Sequence, residues 1–422
     1  MKSLGKAADP TAGHEPGSVS TWFNPLSAEF RDDPYPYYRR LREEAPVFEF
    51  LPGIFGVVRY DDCASVFRDH RRFGNDASKS DLYTTLRPGP RGVKGLGQTV
   101  GAGGGLVMMD PPDHTRLRGL VQQAFTARVV EQLRPRIQEH VDRLLDRMAG
   151  RDDVDLVHEF AYPLPLTVVC ELLGIPPADW ELFQRWSDDL VPTLEWVVTA
   201  DLAKKAFRAT REFRIYLLKR IQERETQPGD DLLSSLIDAE LDGSKLTRGE
   251  LIALSMNLVI AGHETTVNLI SNGVLDLLGH PDQLALFRES DPATLRTAVD
   301  EFLRFDAPVQ NAGRIVLEDV EIGGREIRKG QHVIVVIGSA NRDPDQFPDP
   351  DRFDITRQDN RHLTFAAGIH RCIGAALGHT EVQIAMSSLF RRYPKLRLAT
   401  DRIERRETLI LRGPLRLPVH LS

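Results

Sequence analysis

Near its C-terminal end the chain reads Phe365-Ala-Ala-Gly368-Ile-His370-Arg371-Cys372-Ile-Gly374, the pattern F-x-x-G-x-H-x-C-x-G. Gly368 permits a sharp turn and a close approach of backbone to a flat ligand. Gly374 stands where a helix could start. A cysteine at a helix N-terminus beside Arg371 and His370 is expected to have its thiolate favoured by the dipole and the cations. Thiolate is the form that attacks electrophiles and binds metals. Three plainer readings stay open at this point. Cys372 could be a small buried hydrophobe, half of a nucleophile pair with His370, or a zinc ligand, although no second cysteine is near.

Other stretches also combine reactive types at useful spacing. Gly262-His263-Glu264-Thr265-Thr266 interrupts an apolar run, Leu258-Val259-Ile260-Ala261. A carboxylate and hydroxyls inside a buried helix suit proton transfer, or else form a satisfied kink. His263 lacks the second histidine of H-E-x-x-H and is not expected to bind metal. His114 and Arg118 are four apart and share one helix face. They read either as a solvated surface or as an anion site. Glu301 and Arg304, three apart, suggest an ion pair.

A lone cysteine ligand with glycines against it suits the axial position of a haem iron. The Cys372 loop closely resembles the haem-ligand loop of the haem-thiolate monooxygenases, the cytochromes P450. The string Ala261-Gly262-x-Glu264-Thr265-Thr266 resembles their oxygen-activation motif, and Glu301-x-x-Arg304 their E-x-x-R. The resemblance runs from about residue 22 to 421. It implies Cys372 as the metal ligand and haem b as cofactor, with Phe365, Gly368 and Gly374 shaping the loop. It implies that His114, Arg118, Arg314 and His370 hold the haem propionates. Glu264 and Thr265 become the acid–alcohol pair that delivers protons, Thr265 by donating a hydrogen bond to the oxygen being reduced. Arg352 joins Glu301 and Arg304 in a structural network. Gly378-His379 departs from the usual Ala-Arg of the family and puts the proximal surface in doubt.

These residues need elements to hold them. Thr247-Arg-Gly-Glu250 is a capping box that opens a helix to about residue 278, a rod of roughly 45–50 Å. Its apolar middle is expected to be buried. Helices are also expected from residue 33 to 44, 62 to 69, 110 onward, and 292 to 305. Residues 47–58 and 320–327 read as hairpins, 333–337 as a buried strand, and 408–411 as a C-terminal hairpin. Residues 129–231 read as amphipathic helices, in which Trp180, Trp186 and Trp196 pack. The fold expected is mainly α with small β-sheets, one large helix-rich domain over residues 21–422 after a polar tail at 1–20. The long Gly-rich stretch 78–105 is expected to be a mobile segment over the substrate cavity.

The formal net charge of -7 argues against a general affinity for nucleic acid. Three distant cysteines make no disulfide framework, and the N-terminus has no run of membrane-anchor length. A cytoplasmic, monomeric protein of bacterial type is expected.

The function implied is insertion of one oxygen atom from O2 into a C–H or C=C bond. Electrons would come from NAD(P)H through a reductase and an acidic ferredoxin, which docks behind Cys372 on Arg116 and Arg371. A peroxide-driven peroxygenase and a haem-binding sensor are the alternatives. The substrate expected is a bulky apolar molecule of macrolide, steroid, terpenoid or fatty-acid type. Leu106, Val107, Val259, Ala261, Val309 and Ile410 would shape its cavity, with Leu194 and Trp196 as weaker candidates. Gln310 and Asn311 are polar anchors or satisfy local backbone.

Overall fold

A computed structural model describes residues 19, 22–81, 105–195 and 198–422. The tail at 1–20, most of the 78–105 stretch, and Trp196 therefore lie outside the described residues, Val19 apart.

Helix α1 (Tyr35–Glu44) leads into strands β1 (Val47–Leu51) and β2 (Ile54–Val57), which pair antiparallel with Val47 opposite Val57. Strand β3 (Phe73–Gly74) follows. Next come helices α2 (Asp113–Ala124) and α3 (Ala127–Met148), then α4 (Trp180–Leu190) and α5 (Ala200–Thr226). The helix expected from the capping box is α6 (Arg248–Gly279); Thr247 accepts from the Glu250 amide while the Glu250 carboxylate accepts from Thr247. Then come α7 (Pro292–Phe305), β4 (Ala312–Val316), β5 (His332–Val335) and finally α8 (Ala375–Arg392). The five strands form one sheet in the order β1-β2-β5-β4-β3. The hairpin expected at 320–327 is present, with Gly323 and Gly324 at φ +55° and +77°, the left-handed pair its turn requires.

The helices share one large apolar core, and the sheet is backed by smaller ones. Trp180 and Trp186 pack as expected, their indole N–H groups donating to the Ile175 carbonyl and the Glu212 carboxylate at 3.1 Å each. The hairpin expected at 408–411 is instead a turn. Leu411 bridges Val309, and the amides of Leu409 and Ile410 donate to the Glu195 carboxylate at 2.8 and 3.2 Å. Among the described residues no helix is long and apolar enough to cross a membrane.

Candidate active site

The Cys372 loop is folded by its own backbone. The Cys372 amide donates to the Phe365 carbonyl at 2.8 Å, and Gly368–His370 form a single 3-10 turn. Gly368 has φ +70°, and a Cβ there would sit 2.4 Å from the Phe67 carbonyl oxygen, so only glycine fits. Phe365 is half-buried beside His362. Gly374 is the N-cap of α8 and directs its amide at the Cys372 thiol.

Cys372 is exposed, whereas Cys63 and Cys170 are buried. That removes the buried-hydrophobe reading. Among the described residues the buried Nε2 of His370 has no partner, so that nitrogen makes no hydrogen bond to the Cys372 thiol as a nucleophile pair would. No cluster of three metal-binding side chains occurs among the described residues, against zinc. One expectation is corrected. Burial pushes the thiol pKa up, outweighing the Gly374 amide, Arg118 and Arg371, which pull it down. The thiol is accessible on one side, yet the surrounding protein desolvates it. Those three donors are poised to stabilise a thiolate that a metal has already deprotonated.

Around the loop four basic side chains converge. His114 and Arg118 come from α2, Arg314 from β4, and His370 from the loop itself. The two imidazoles lie 4.2 Å apart. Both nitrogens of His114 are buried without partners among the described residues. Arg314 is buried over the Phe67 ring, and its hydrogen bond goes to the adjacent Gly313 carbonyl at 2.8 Å. Arg118 donates to the Arg371 carbonyl at 2.6 Å. Burial, then the neighbouring positive charges, pushes His370 down to about 3, and burial pushes Arg314 down to about 10. The acid facing this cluster is Asp110, which is held by Lys79 at 2.8 Å and the Asn75 amide at 2.7 Å. Four buried or half-buried bases without a carboxylate of their own fit the two carboxylates of a haem.

The other wall is α6. Its middle was expected to be wholly buried; instead Ala261 and Gly262 are exposed, and Asn257, Leu258 and Thr265 half-buried, while the rest of the region is buried. The four-residue spacing of this stripe marks one helix face turned to open space. Thr265 and Thr266 donate their hydroxyls to the Ala261 and Gly262 carbonyls at 2.7 and 3.0 Å. Glu264 lies beside the stripe, buried, with Arg406 Nη1 2.7 Å from its Oε1. Burial raises its pKa, Arg406 lowers it and Asp188 raises it, and the net shift is upward. His263 is used by the protein on both ring nitrogens, with Ser187 at 2.9 Å and the Tyr162 carbonyl at 3.2 Å.

Several assignments change. Val259 and Leu106 are buried in the core and Val107 is exposed, so of the apolar candidates Ala261 alone sits on the α6 stripe. Val309 and Ile410 are half-buried near the Glu195 turn. Gln310 is no anchor: its amide donates to the Ala307 carbonyl at 2.8 Å and accepts from Tyr38 at 3.0 Å. Asn311 donates to the Leu409 carbonyl at 2.7 Å, and its buried oxygen has no partner among the described residues. Arg352 is exposed and gives the network only its carbonyl, which Arg304 reaches at 3.1 Å. The second cation on Glu301 is Arg357, with Nε 3.3 Å from Oε2. Arg116 is bound to Glu250 and is not a free docking charge. His379 is held by Asp300 at 3.1 Å and Gln383 at 3.1 Å.

Sequence reasoning missed Arg357, Arg406 and Glu195. Asp354 accepts from the Thr356 amide at 3.0 Å, an Asx-turn that folds Arg357 back. That local signal was readable. Arg406 and Glu195 meet their partners only through tertiary contacts.

A family model described as Cytochrome P450 matches residues 180–417. The chain is 44% identical over 397 residues to cytochrome P450 107B1 of Saccharopolyspora erythraea, covering 92% of this chain and 95% of that one. It is 41% identical over 406 residues to 6-deoxyerythronolide B hydroxylase of the same organism, covering 94% and 98%. The solved structure of P450BioI in complex with an acyl carrier protein ligated to hexadec-9Z-enoic acid superposes with a TM-score of 0.84. There the identity is 36%, with 93% of this chain and 100% of that chain covered. The chain belongs to the cytochrome P450 family and is a monooxygenase with a haem-iron cofactor.

Proposed function

We propose that this enzyme oxidises a bulky, mostly apolar polyketide-type or acyl substrate, with haem b as cofactor, Cys372 as the residue that would bind its iron and electrons from a separate ferredoxin. The observation that carries the site assignment is the single accessible thiol beside four bases that have no carboxylate partner among the described residues. The substrate class follows the relatives: one is by name a hydroxylase of 6-deoxyerythronolide B, and another was solved with an acyl-loaded carrier protein. Substrate presented on a carrier is part of this reading.

When bound, the haem supplies the activation of O2. The chain's own residues do the rest. His114, Arg118, Arg314 and His370 would hold the carboxylates of the haem. The Gly374 amide, Arg118 and Arg371 stabilise charge on the Cys372 sulfur. On the opposite wall Ala261 and Gly262 leave room beside the helix, and Glu264 and Thr265 handle protons. Ala261, Val309, Ile410 and Asn311 are the substrate-side residues that keep this role. The presence of both Glu264 and Thr265 favours O2 with delivered electrons over peroxide. Arg371, exposed behind the loop, contributes charge for the ferredoxin. The protein acts as a cytoplasmic monomer.

The test has two stages. The reduced protein under carbon monoxide should show the red-shifted Soret band of a thiolate haem. Cys372→Ser should lose that band, whereas Cys63→Ser and Cys170→Ser should keep it. With NADPH, a ferredoxin reductase, a ferredoxin and a macrolactone, one atom of labelled O2 should appear in the product. Retention of the band in Cys372→Ser, or turnover with peroxide but not with NADPH, would refute the reading.

A further inference from the structure

Helix α5 buries Ala206, Phe213 and Leu217 on its inner side. Its outer side exposes Phe207 and Ile215 at 59% and 60%, and Leu218 at 38%. Arg208, Arg211 and Arg214 are exposed among them. The ion pairs of this helix run through Lys204–Asp201, Glu212–Arg185, the Glu223 cluster, Arg224–Asp231 and Glu225–Arg248; these three arginines make none among the described residues. At 3.6 residues per turn the six side chains fall in one arc of about 120° and extend about 17 Å along the axis. No acidic side chain lies between Phe207 and Leu218 in that arc; the one acid of the segment, Glu212, lies outside it and bonds Trp186. This is a cationic and apolar face on a chain whose formal net charge is -7.

We propose that this face docks an acidic acyl-carrier domain that brings the substrate on a flexible tether, an inference that rests on the carrier-borne substrate reading above. Three unpaired guanidiniums match carboxylates on a partner helix, and Phe207, Ile215 and Leu218 supply the apolar contact between them. A lipid surface fits less well. A helix lying in a membrane separates its charged and apolar faces, whereas Arg211 stands in the middle of this arc. The size also suits a carrier. One helix face of this length buries an area at the low end for interfaces, which gives the weak, rapidly reversed association a shuttling partner needs.

Placement supports the same partner. Phe213 of α5 stacks on Trp186 of α4, with centroids 4.9 Å apart and planes at 18°. The segment joining these helices contains Glu195, whose carboxylate holds the amides of Leu409 and Ile410. A carrier on α5 is thus seated on a rigid helix pair, one short connection from the turn that bears Ile410.

The experiment uses the holoenzyme and a fluorescently labelled acyl-carrier domain loaded with a long-chain acyl group. Anisotropy should show micromolar binding that weakens from 50 to 500 mM salt, as screened charge contacts do. The triple variant Arg208→Glu, Arg211→Glu, Arg214→Glu should weaken binding at least tenfold and raise KM for the carrier-bound substrate. The same variant should oxidise the free acid at the parent rate, which controls for folding and for the ferredoxin. If the free acid is oxidised equally by both proteins but the triple variant keeps full carrier binding, this inference fails and the proposed function stands. If neither substrate form is oxidised by the parent, the proposed function fails. Binding of the parent to phosphatidylglycerol vesicles but not to the carrier would replace the carrier with a lipid surface and overturn the inference.

Discussion

The carboxylate of Glu264, in the middle of α6, is reached by Arg406 from the C-terminal segment, with Nη1 2.7 Å from Oε1. The carboxylate is buried and the guanidinium only partly so. This pair decides the charge state of the acid that sits beside the α6 stripe. Burial raises Glu264 above its unfolded value and Arg406 limits the rise. A carboxyl so raised stabilises the fold only while protonated. Its cost appears as pH climbs past the unfolded value, roughly 4.3.

Arg406→Met removes the limit. At pH 7 it should destabilise the protein by about 2–3 kcal/mol, less than for a fully enclosed pair because Arg406 keeps some solvent access. Because burial raises the Glu264 carboxyl, the penalty should shrink toward acid pH, where that carboxyl is protonated with or without Arg406. Adding Glu264→Gln to the variant should recover most of the loss at pH 7. Urea denaturation at both pH values checks this. A loss independent of pH would mean that the pair is not electrostatically coupled.

Glu381 on α8 offers the same physics without a partner. It is buried, its Oε2 has no hydrogen bond among the described residues, and burial pushes its carboxyl up to about 8. The protein should therefore lose stability as pH rises from roughly 4.3 to about 8. Glu381→Gln should remove that dependence and stabilise at pH 7.5 by roughly 4 kcal/mol, with no gain at pH 4. Equal stabilisation at both pH values would show that ionisation of Glu381 is not the cause.

The E-x-x-R network distinguishes two arginines five positions apart. Arg357 faces Glu301 and also donates to the Pro348 carbonyl at 2.9 Å, while the Arg352 side chain is exposed. Arg357→Ala should cost about 2–4 kcal/mol because it takes a charge from a buried carboxylate. Arg352→Ala should stay within about 0.5 kcal/mol. Thermal melts of the two variants decide it, and the reverse ranking would restore Arg352 to the network.

Much of this site was readable from local pattern. The capping box placed the start of α6, the F-x-x-G-x-H-x-C-x-G string placed the thiol, and four-residue spacing put His114 and Arg118 on one face. What failed was of two kinds. Apolar type does not say which side a residue faces, so Val259 and Ala261 read alike although one is core and the other open. Long-range pairing leaves no local mark either. The sequence leaves Gln310 open between substrate anchor and local satisfaction, and Tyr38 and the Ala307 carbonyl at its amide give the second; nothing near Arg406 in sequence points to Glu264.

The basic cluster predicts cofactor retention. Among the described residues Arg118 makes one hydrogen bond, to the Arg371 carbonyl, and a guanidinium has further donors for a carboxylate. Arg118→Ala should lower the haem-to-protein absorbance ratio after gel filtration several-fold, whereas Arg128→Ala, at an exposed position of α3, should leave it at the parent value. Equal ratios would remove Arg118 from the carboxylate site.

Thr265 carries the last prediction, and the structure sharpens it. Its single hydroxyl proton is given to the Ala261 carbonyl at 2.7 Å, so the oxygen is placed to accept, for instance from a water. To donate toward the open face the side chain must release that carbonyl or receive a proton in relay. Thr265→Ala removes the hydroxyl but also replaces a mid-helix threonine by the best helix former, so the melting temperature should hold or rise slightly. Product formed per NADPH should nevertheless fall several-fold, with the missing electrons recovered as hydrogen peroxide. Thr265→Ser keeps the hydroxyl and should retain most of the coupling. A drop in both coupling and stability would make Thr265 a structural residue of the helix. A parent-like ratio of product to NADPH in Thr265→Ala would show that Glu264 and solvent manage the protons without it.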